Sequence, residues 1–195
     1  MKIGAVVLAA GQASRFGSPK QLLEIHGETL IDRACRTAQE AGCHPVLRLL
    51  GAHAEMILER PCPAGVETFV HDGWEEGMGS SLAAGVARLL ELCPELDAVF
   101  VLLADQPMTT ATLLKSMEAG LQKASIVWCD HSNVKGPPAL FERKHFEELQ
   151  ALQGDRGAKA VAANHPTASV PFPDAAWDID SPEAWEKFLS SPLSA

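Results

Sequence analysis

Residues 8–20, LAAGQASRFGSPK, place two cations, Arg15 and Lys20, and no carboxylate in a loop that opens on Leu8, Ala9, Ala10 and Gly11. Small residues let a ligand approach the backbone, and successive backbone N–H groups backed by cations are suited to a polyphosphate. The opposite charge comes from two other segments. Asp105 follows the apolar run VFVLLA and precedes Gln106-Pro107, a costly place for an unpaired carboxylate. It is either a capping or turn group or a cation ligand. Asp178 and Asp180 flank Ile179, so an extended backbone turns both toward one side.

The loop is neither of two standard phosphate loops. The dinucleotide pattern G-x-G-x-x-G is absent, and Gly17 is followed by SPK in place of K-[ST]. No local signature pairs a Ser or Cys nucleophile with a His. The seven histidines show no helical i, i+4 pair beside a glutamate, which disfavours a zinc enzyme.

The elements that must position these residues follow from the hydrophobic pattern. Segments 2–10, 44–50, 66–71, 97–104, 124–129, 137–141 and 168–172 read as strands, and the near-continuous apolar runs at 3–9 and 98–104 as central ones. Helices are expected at 29–42, ending on Gly42, at 80–93 with Ser80 and Ser81 as caps, and at 109–120. Further helices are expected near 143–152, 156–163 and 181–190, the last with Ser181 as N-cap and Pro182 at its first position. Alternation of strand and helix predicts an α/β fold with a mostly parallel central sheet, whose ligands lie beyond the carboxyl ends of the strands. Loops 9–20, 71–81 and 104–108 are then the functional ones. His71 and Asp72 end a strand and are candidates for the same crevice.

The 195 residues, 47% of them hydrophobic, predict one domain spanning 1–195. The net charge of −9 argues against nucleic acid or an anionic membrane as partner. The opening MKIGAVVLAAG has no signal-peptide cleavage region and is too short to span a bilayer, so a cytoplasmic location is expected. Five cysteines at irregular spacing predict reduced, mostly buried thiols.

LAAGQASRFGSPKQL (8–22) resembles the nucleotide-binding signature L-A-A-G-x-x-x-R-x-G-x-x-K of the nucleotidyltransferase superfamily, and its SPKQLL ending resembles the molybdenum cofactor cytidylyltransferase family within it. HDGWEEGMGSSLAAGV (71–86), LLADQPMTT (102–110), GPPALFERKHFEELQALQGDRGAK (136–159) and DIDSPEAW (178–185) resemble further family segments in the same order. The resemblance implies a three-layer, Rossmann-like nucleotidyltransferase fold, with a nucleotide-binding portion over about 1–110 and an acceptor-binding portion over about 111–195. It implies transfer of CMP from CTP to molybdenum-bound molybdopterin, giving the cytosine dinucleotide cofactor and pyrophosphate. A molybdenum hydroxylase is the implied recipient. Mg²⁺ is the expected cofactor, with Mn²⁺ as the alternative.

By the same resemblance Arg15, Lys20 and Asp105 are catalytic, and Asp105 and Asp180 hold the metal. Leu8, Ala9, Ala10, Gly11, Gly79, Ser80 and Ser81 contact the nucleotide, and Gly136, Pro138, Gly154, Asp155 and Gly157 the acceptor. Ala10 stands where the guanylyltransferase branch has glycine, which favours CTP over GTP, although uridylyl-transferring relatives share L-A-A-G. An anionic acceptor phosphate attacks without a dedicated base, so the missing nucleophile signature is consistent. Three alternatives stay open: a sugar or polyol phosphate as acceptor, GTP as donor, and a noncatalytic carrier of molybdenum cofactor.

Overall fold

The computed structural model describes residues 1–12, 16–131 and 134–194. Its elements are β1 (Ile3–Ala9), β2 (Glu24–Ile25), β3 (Glu28–Thr29), α1 (Leu30–Glu40), β4 (Val46–Leu50), α2 (Ala54–Leu58), β5 (Val66–Val70) and α3 (Met78–Leu92), continued by β6 (Ala98–Leu103), α4 (Ala111–Gly120), β7 (Ile126–His131), β8 (Val134–Glu142), α5 (Phe146–Gln150), α6 (Lys159–Ala162), β9 (Ala168–Pro171) and α7 (Pro182–Leu189).

Seven strands form one sheet in the order β5-β4-β1-β6-β8-β7-β9, and β2 pairs with β3 in a separate hairpin. β1 pairs parallel with β4 and β6, β4 with β5, and β7 with β9. β8 runs antiparallel to β6 and β7, so the sheet is mostly parallel, as the alternation of elements predicts.

Strand alternation divides the core. Ala5, Val7 and Phe100 pack with Ile31, Cys35, Leu114 and Met117 of α1 and α4 on one face. Val6, Leu49 and Val101 pack with Leu82, Val86 and Leu89 of α3 and with Phe146 and Leu149 of α5 on the other. Helices therefore cover both faces, which is why β1 and β6 are apolar on both sides. A third cluster, Ile25, Leu30, Ile179 and Phe188, seats α7 and the DID segment beside the hairpin.

Thr29, Thr110 and Ser181 cap α1, α4 and α7, accepting from Asp32 N, Leu113 N and Ala184 N at 3.2 Å each. The expectation for α3 requires correction. It starts at Met78, with Gly77 at the cap position and neither Ser80 nor Ser81 capping it. The amide of Gly79 is satisfied by Gly154 O at 2.7 Å, so a distant carbonyl does what the serines were expected to do. All five cysteines are free: Cys35, Cys43 and Cys129 are buried, Cys62 is exposed and Cys93 lies between.

Gly85 lets α3 press on the sheet, since a Cβ there meets Val6 Cγ2 at 2.7 Å and Leu49 Cδ1 at 3.0 Å. Val6 is a stiff β-branched residue in a central strand and cannot swing aside. Gly85→Ala is expected to destabilise the fold by about 1–3 kcal/mol, read as a fall of several degrees in Tm with an unchanged far-UV spectrum.

Candidate functional site

The carboxyl ends of β1 and β6 and the start of α3 surround a cavity of about 420 Å³. β1 delivers Ala9, Ala10 and Gly11 to its wall, and the turn after β6 delivers Asp105. This is the position expected for ligands of a parallel sheet. The small residues have a packing reason too. A Cβ on Gly51, after β4, would meet Ala10 Cβ at 2.8 Å and Trp74 Cβ at 2.6 Å, so Ala10, Gly51 and Trp74 are stacked at close range.

Lys20 organises the charge. Its Nζ donates to Asp105 Oδ2 at 2.5 Å and to Asp180 Oδ1 at 3.0 Å. The lysine and Asp105 are largely shielded, with side chains 16% and 18% exposed, while Asp180 is 60% exposed. Burial opposes the charge on Lys20, but attraction to Asp105 and the hydrogen bonds to Asp105 and Asp180 hold its pKa above the usual lysine value.

Two further contacts fix this cluster. Ile179 N donates to Asp105 O at 3.0 Å, and Gln106 Nε2 donates to Asp178 Oδ1 and to Pro137 O, both at 3.1 Å. The DQP turn thereby holds both the DID segment and the GPP segment of β8. Asp178 and Asp180 divide their roles: the first accepts from Gln106, the second from Lys20.

Gln21 is a site residue that motif reading passed over. It is buried, and its Nε2 donates to Ala9 O at 3.0 Å and Gly11 O at 3.1 Å, clamping the two ends of the small-residue segment. Such a cross-loop bond has no periodic or spacing signature. Trp74, Glu75 and Met78 line the cavity as well.

The cavity places the expected residues unevenly. Leu8, Ala9, Ala10, Gly11, Lys20, Ser81, Asp105, Asp155 and Asp180 border it; Gly79, Ser80, Gly136, Pro138, Gly154 and Gly157 do not. Ser80 Oγ donates to Glu76 Oε2 at 3.1 Å and lies 2.9 Å from His71 Nε2. Gly79 faces the 153–156 turn, where a Cβ would meet Arg156 O at 2.6 Å. Gly77, at φ 116°, leaves space filled by Asp155 Oδ1, so Asp155 is set at the cavity wall by close backbone approach. Gly136 and Pro138 are buried in β8 behind the Gln106 contact. Arg15 lies outside the described residues.

The donor set suits a divalent cation. Asp105 and Asp180 converge on one ammonium, and Asp105 Oδ1 is buried without a hydrogen-bond partner. Among the described lining residues one lysine faces four carboxylates, Glu75, Asp105, Asp155 and Asp180. A polyphosphate entering that field needs cations that the described side chains do not supply, and hard oxygen ligands are those Mg²⁺ or Mn²⁺ prefers.

The profile of the MobA-like NTP transferase domain matches residues 5–169. The chain is 30% identical over 174 residues to the nicotine blue oxidoreductase of Paenarthrobacter nicotinovorans, covering 84% of this chain and 83% of that one. The crystal structure of Rv0371c from Mycobacterium tuberculosis H37Rv superposes with a TM-score of 0.85 at 28% identity, covering 98% of each chain. A structure of Rv0371C from the same organism in complex with manganese superposes with a TM-score of 0.81 at 26% identity, covering 98% of this chain and all of that one.

Removing the ammonium from between two carboxylates leaves a shielded charge uncompensated. Lys20→Met in chelator is expected to lower stability by about 1–3 kcal/mol in denaturant unfolding at neutral pH. Because the folded pKa of Lys20 is raised, its contribution is fully present below the unfolded value of 10.5 and is lost as pH rises through the folded one. The gap between wild type and variant should therefore hold from about pH 6 to pH 10, where carboxylates are ordinarily ionised, and close above the ordinary lysine range, about 10.4. A gap that persists at high pH contradicts this role.

Proposed function

Because this chain belongs to the MobA-like NTP transferase family, we propose that it transfers CMP from CTP to the terminal phosphate of molybdenum-bound molybdopterin. A bond forms between an acceptor phosphate oxygen and the α-phosphorus of CTP. The bond from that phosphorus to the β-bridging oxygen breaks, and pyrophosphate leaves with the electron pair. The observation that carries the reading is the convergence of Asp105 and Asp180 on Lys20 at the mouth of a small-residue backbone loop.

Each residue then has a physical task. Ala9, Ala10 and Gly11 offer backbone N–H groups at close approach, and the Gln21 clamp holds them in one shape. The Lys20 ammonium, kept protonated by its carboxylates, supplies fixed positive charge against the phosphates. Asp105 and Asp180 are the residues to hold Mg²⁺ or Mn²⁺, which when bound supplies neutralisation of the phosphate oxygens. Leu8, Gly79, Ser80, Ser81 and Arg15 belong to the nucleotide side in this reading. Ser81 at the cavity wall is the best placed of the described hydroxyls to read the base. Asp155, Gly136, Pro138, Gly154 and Gly157 are assigned to the acceptor side, and of these Asp155 borders the cavity. In this reading the nucleotide portion spans about 1–110 and the acceptor portion about 111–195, from which Asp155 and Asp180 reach the cavity.

The identity to the Paenarthrobacter relative favours one second reading, a reductase of the kind its name describes. It needs a reduced nicotinamide or flavin in the cavity, whereas the oxygen donor set suits a metal-bound phosphate.

The test is a panel. The protein is incubated with Mg²⁺, each of four nucleoside triphosphates, and either molybdenum-loaded molybdopterin or a set of sugar and polyol phosphates, while pyrophosphate release and NADPH oxidation are followed. Release with CTP and molybdopterin is expected, with at least tenfold less for GTP or a sugar phosphate. Asp105→Asn should fold and lose about 100-fold or more of the rate. Faster release with a sugar phosphate would change the acceptor; CTP binding with no release from any acceptor would favour a carrier; NADPH consumption without release would favour the reductase.

A further inference from the structure

At the opposite end of β6 from Asp105, where β8 ends beside Ala98 and leads into α5, His145, Glu148 and His165 form a cluster outside the cavity that Asp105 lines. One ligand atom from each lies within 4.8 Å of the others. His165 Nε2 is 2.7 Å and His145 Nδ1 3.6 Å from Glu148 Oε1, and the two imidazoles are 4.4 Å apart between centroids. The distinguishing observation is His145. Its side chain is only 2% exposed, and its Nδ1 is buried, aimed into the cluster, and without a hydrogen-bond partner.

We propose that His145 Nδ1, Glu148 and His165 Nε2 form a binding site for a borderline divalent metal ion, zinc above all, separate from the aspartate site. Two imidazoles and one carboxylate are a donor set that zinc accepts with a water as fourth ligand. Tetrahedral ligands about 2.0–2.1 Å from zinc sit roughly 3.3 Å from one another; the two contacts to Glu148 Oε1, at 2.7 Å and 3.6 Å, are close to that spacing, and the imidazole nitrogens, within 4.8 Å of one another, would draw in by up to about 1.5 Å. Coordination needs an imidazole nitrogen with a free lone pair. The outer contact is in place: His145 Nε2 lies 2.8 Å from Ser125 Oγ, and an Nε2–H donating to that hydroxyl leaves the lone pair on Nδ1. Glu148 also borders a cavity of about 350 Å³ shared with Gln153 and Arg156, which gives a water ligand room and the ion a way in.

The site's place in the fold suggests its use. Glu148 belongs to α5 and His165 follows α6, the short helix whose other end carries the Gly154–Gly157 turn against the start of α3. A metal bond between them is a clasp across the α5 and α6 segment, exchanging one hydrogen bond for three coordinate bonds.

The experiment uses the full chain, stripped with chelator and titrated with Zn²⁺ alone by calorimetry and with Co²⁺ by visible absorption. The Asp105→Asn variant serves as background, so that the aspartate site is silenced. One equivalent of Zn²⁺ is expected to bind, Co²⁺ to give the intense visible bands of a tetrahedral site, and Zn²⁺ at 100 times its Kd to raise Tm by about 5 °C or more. His165→Ala and Glu148→Gln, both at partly exposed positions, should weaken binding at least tenfold and abolish the cobalt bands. Ser125→Ala should weaken it about tenfold. Failure of the Asp105→Asn protein to take up Zn²⁺, or uptake unchanged by His165→Ala and Glu148→Gln, overturns the proposal.

Discussion

Everything at the candidate site depends on one electrostatic constraint, a shielded lysine shared between two carboxylates from distant parts of the chain. Lys20, Asp105 and Asp180 stand 85 and 160 residues apart, yet their charged atoms meet within 3.0 Å. The shielded Lys20 ammonium and Asp105 carboxylate each need the other, and the more exposed Asp180 adds a second contact to the same ammonium. The backbone bond from Ile179 to Asp105 and the Gln106 contacts to Asp178 and Pro137 then convert the ionic cluster into a rigid joint between the sheet, the DID segment and β8. The same carboxylates that contact the lysine are oxygen donors of the kind a divalent metal prefers.

A second constraint is close backbone approach. Gly77 and Gly79 bring the first turn of α3 against residues 153–156 so tightly that a Cβ at either would meet backbone atoms under 3.0 Å away. This contact sets Asp155 at the cavity wall and leaves Ser81, not Ser80, beside it. Stability and site geometry are inseparable here, since the helix start is satisfied by the very turn that carries Asp155 to the cavity.

Much of this was legible in the residues. β1 and β6 were clear because strands covered on both faces are apolar throughout, and Thr29, Thr110, Ser181 and Gly42 mark helix ends by local chemistry. Lys20 and Asp105 stand out by charge and position, Asp180 is chosen over Asp178 by the family resemblance, and the convergence of the three is what the structure adds. Less legible features rest on contacts with no local signature. The His26-Gly27 hairpin has strands of two residues, too short for periodicity, although His26 at φ 53° and Gly27 at φ 80° form its turn. The capping of α3 by Gly154, the Gln21 clamp, and the meeting of His165 with His145 and Glu148 are long-range or cross-loop contacts. Spacing rules for metal sites look for neighbours in sequence, whereas His165 meets His145 and Glu148 only through the fold.

The proposed function requires Asp105 and Asp180 to couple a divalent cation to nucleotide binding. The most direct measurement is the affinity for CTP by calorimetry with and without Mg²⁺, in wild type and in the Asp105→Asn, Asp180→Asn double variant. Coupling between two ligands is a free energy shared by both, so it must vanish when the residues that join them are neutralised. Wild-type protein should bind CTP at least tenfold more tightly with Mg²⁺, and in the double variant that ratio should collapse to less than about threefold. An unchanged ratio in the double variant would contradict the assignment of the metal to these carboxylates.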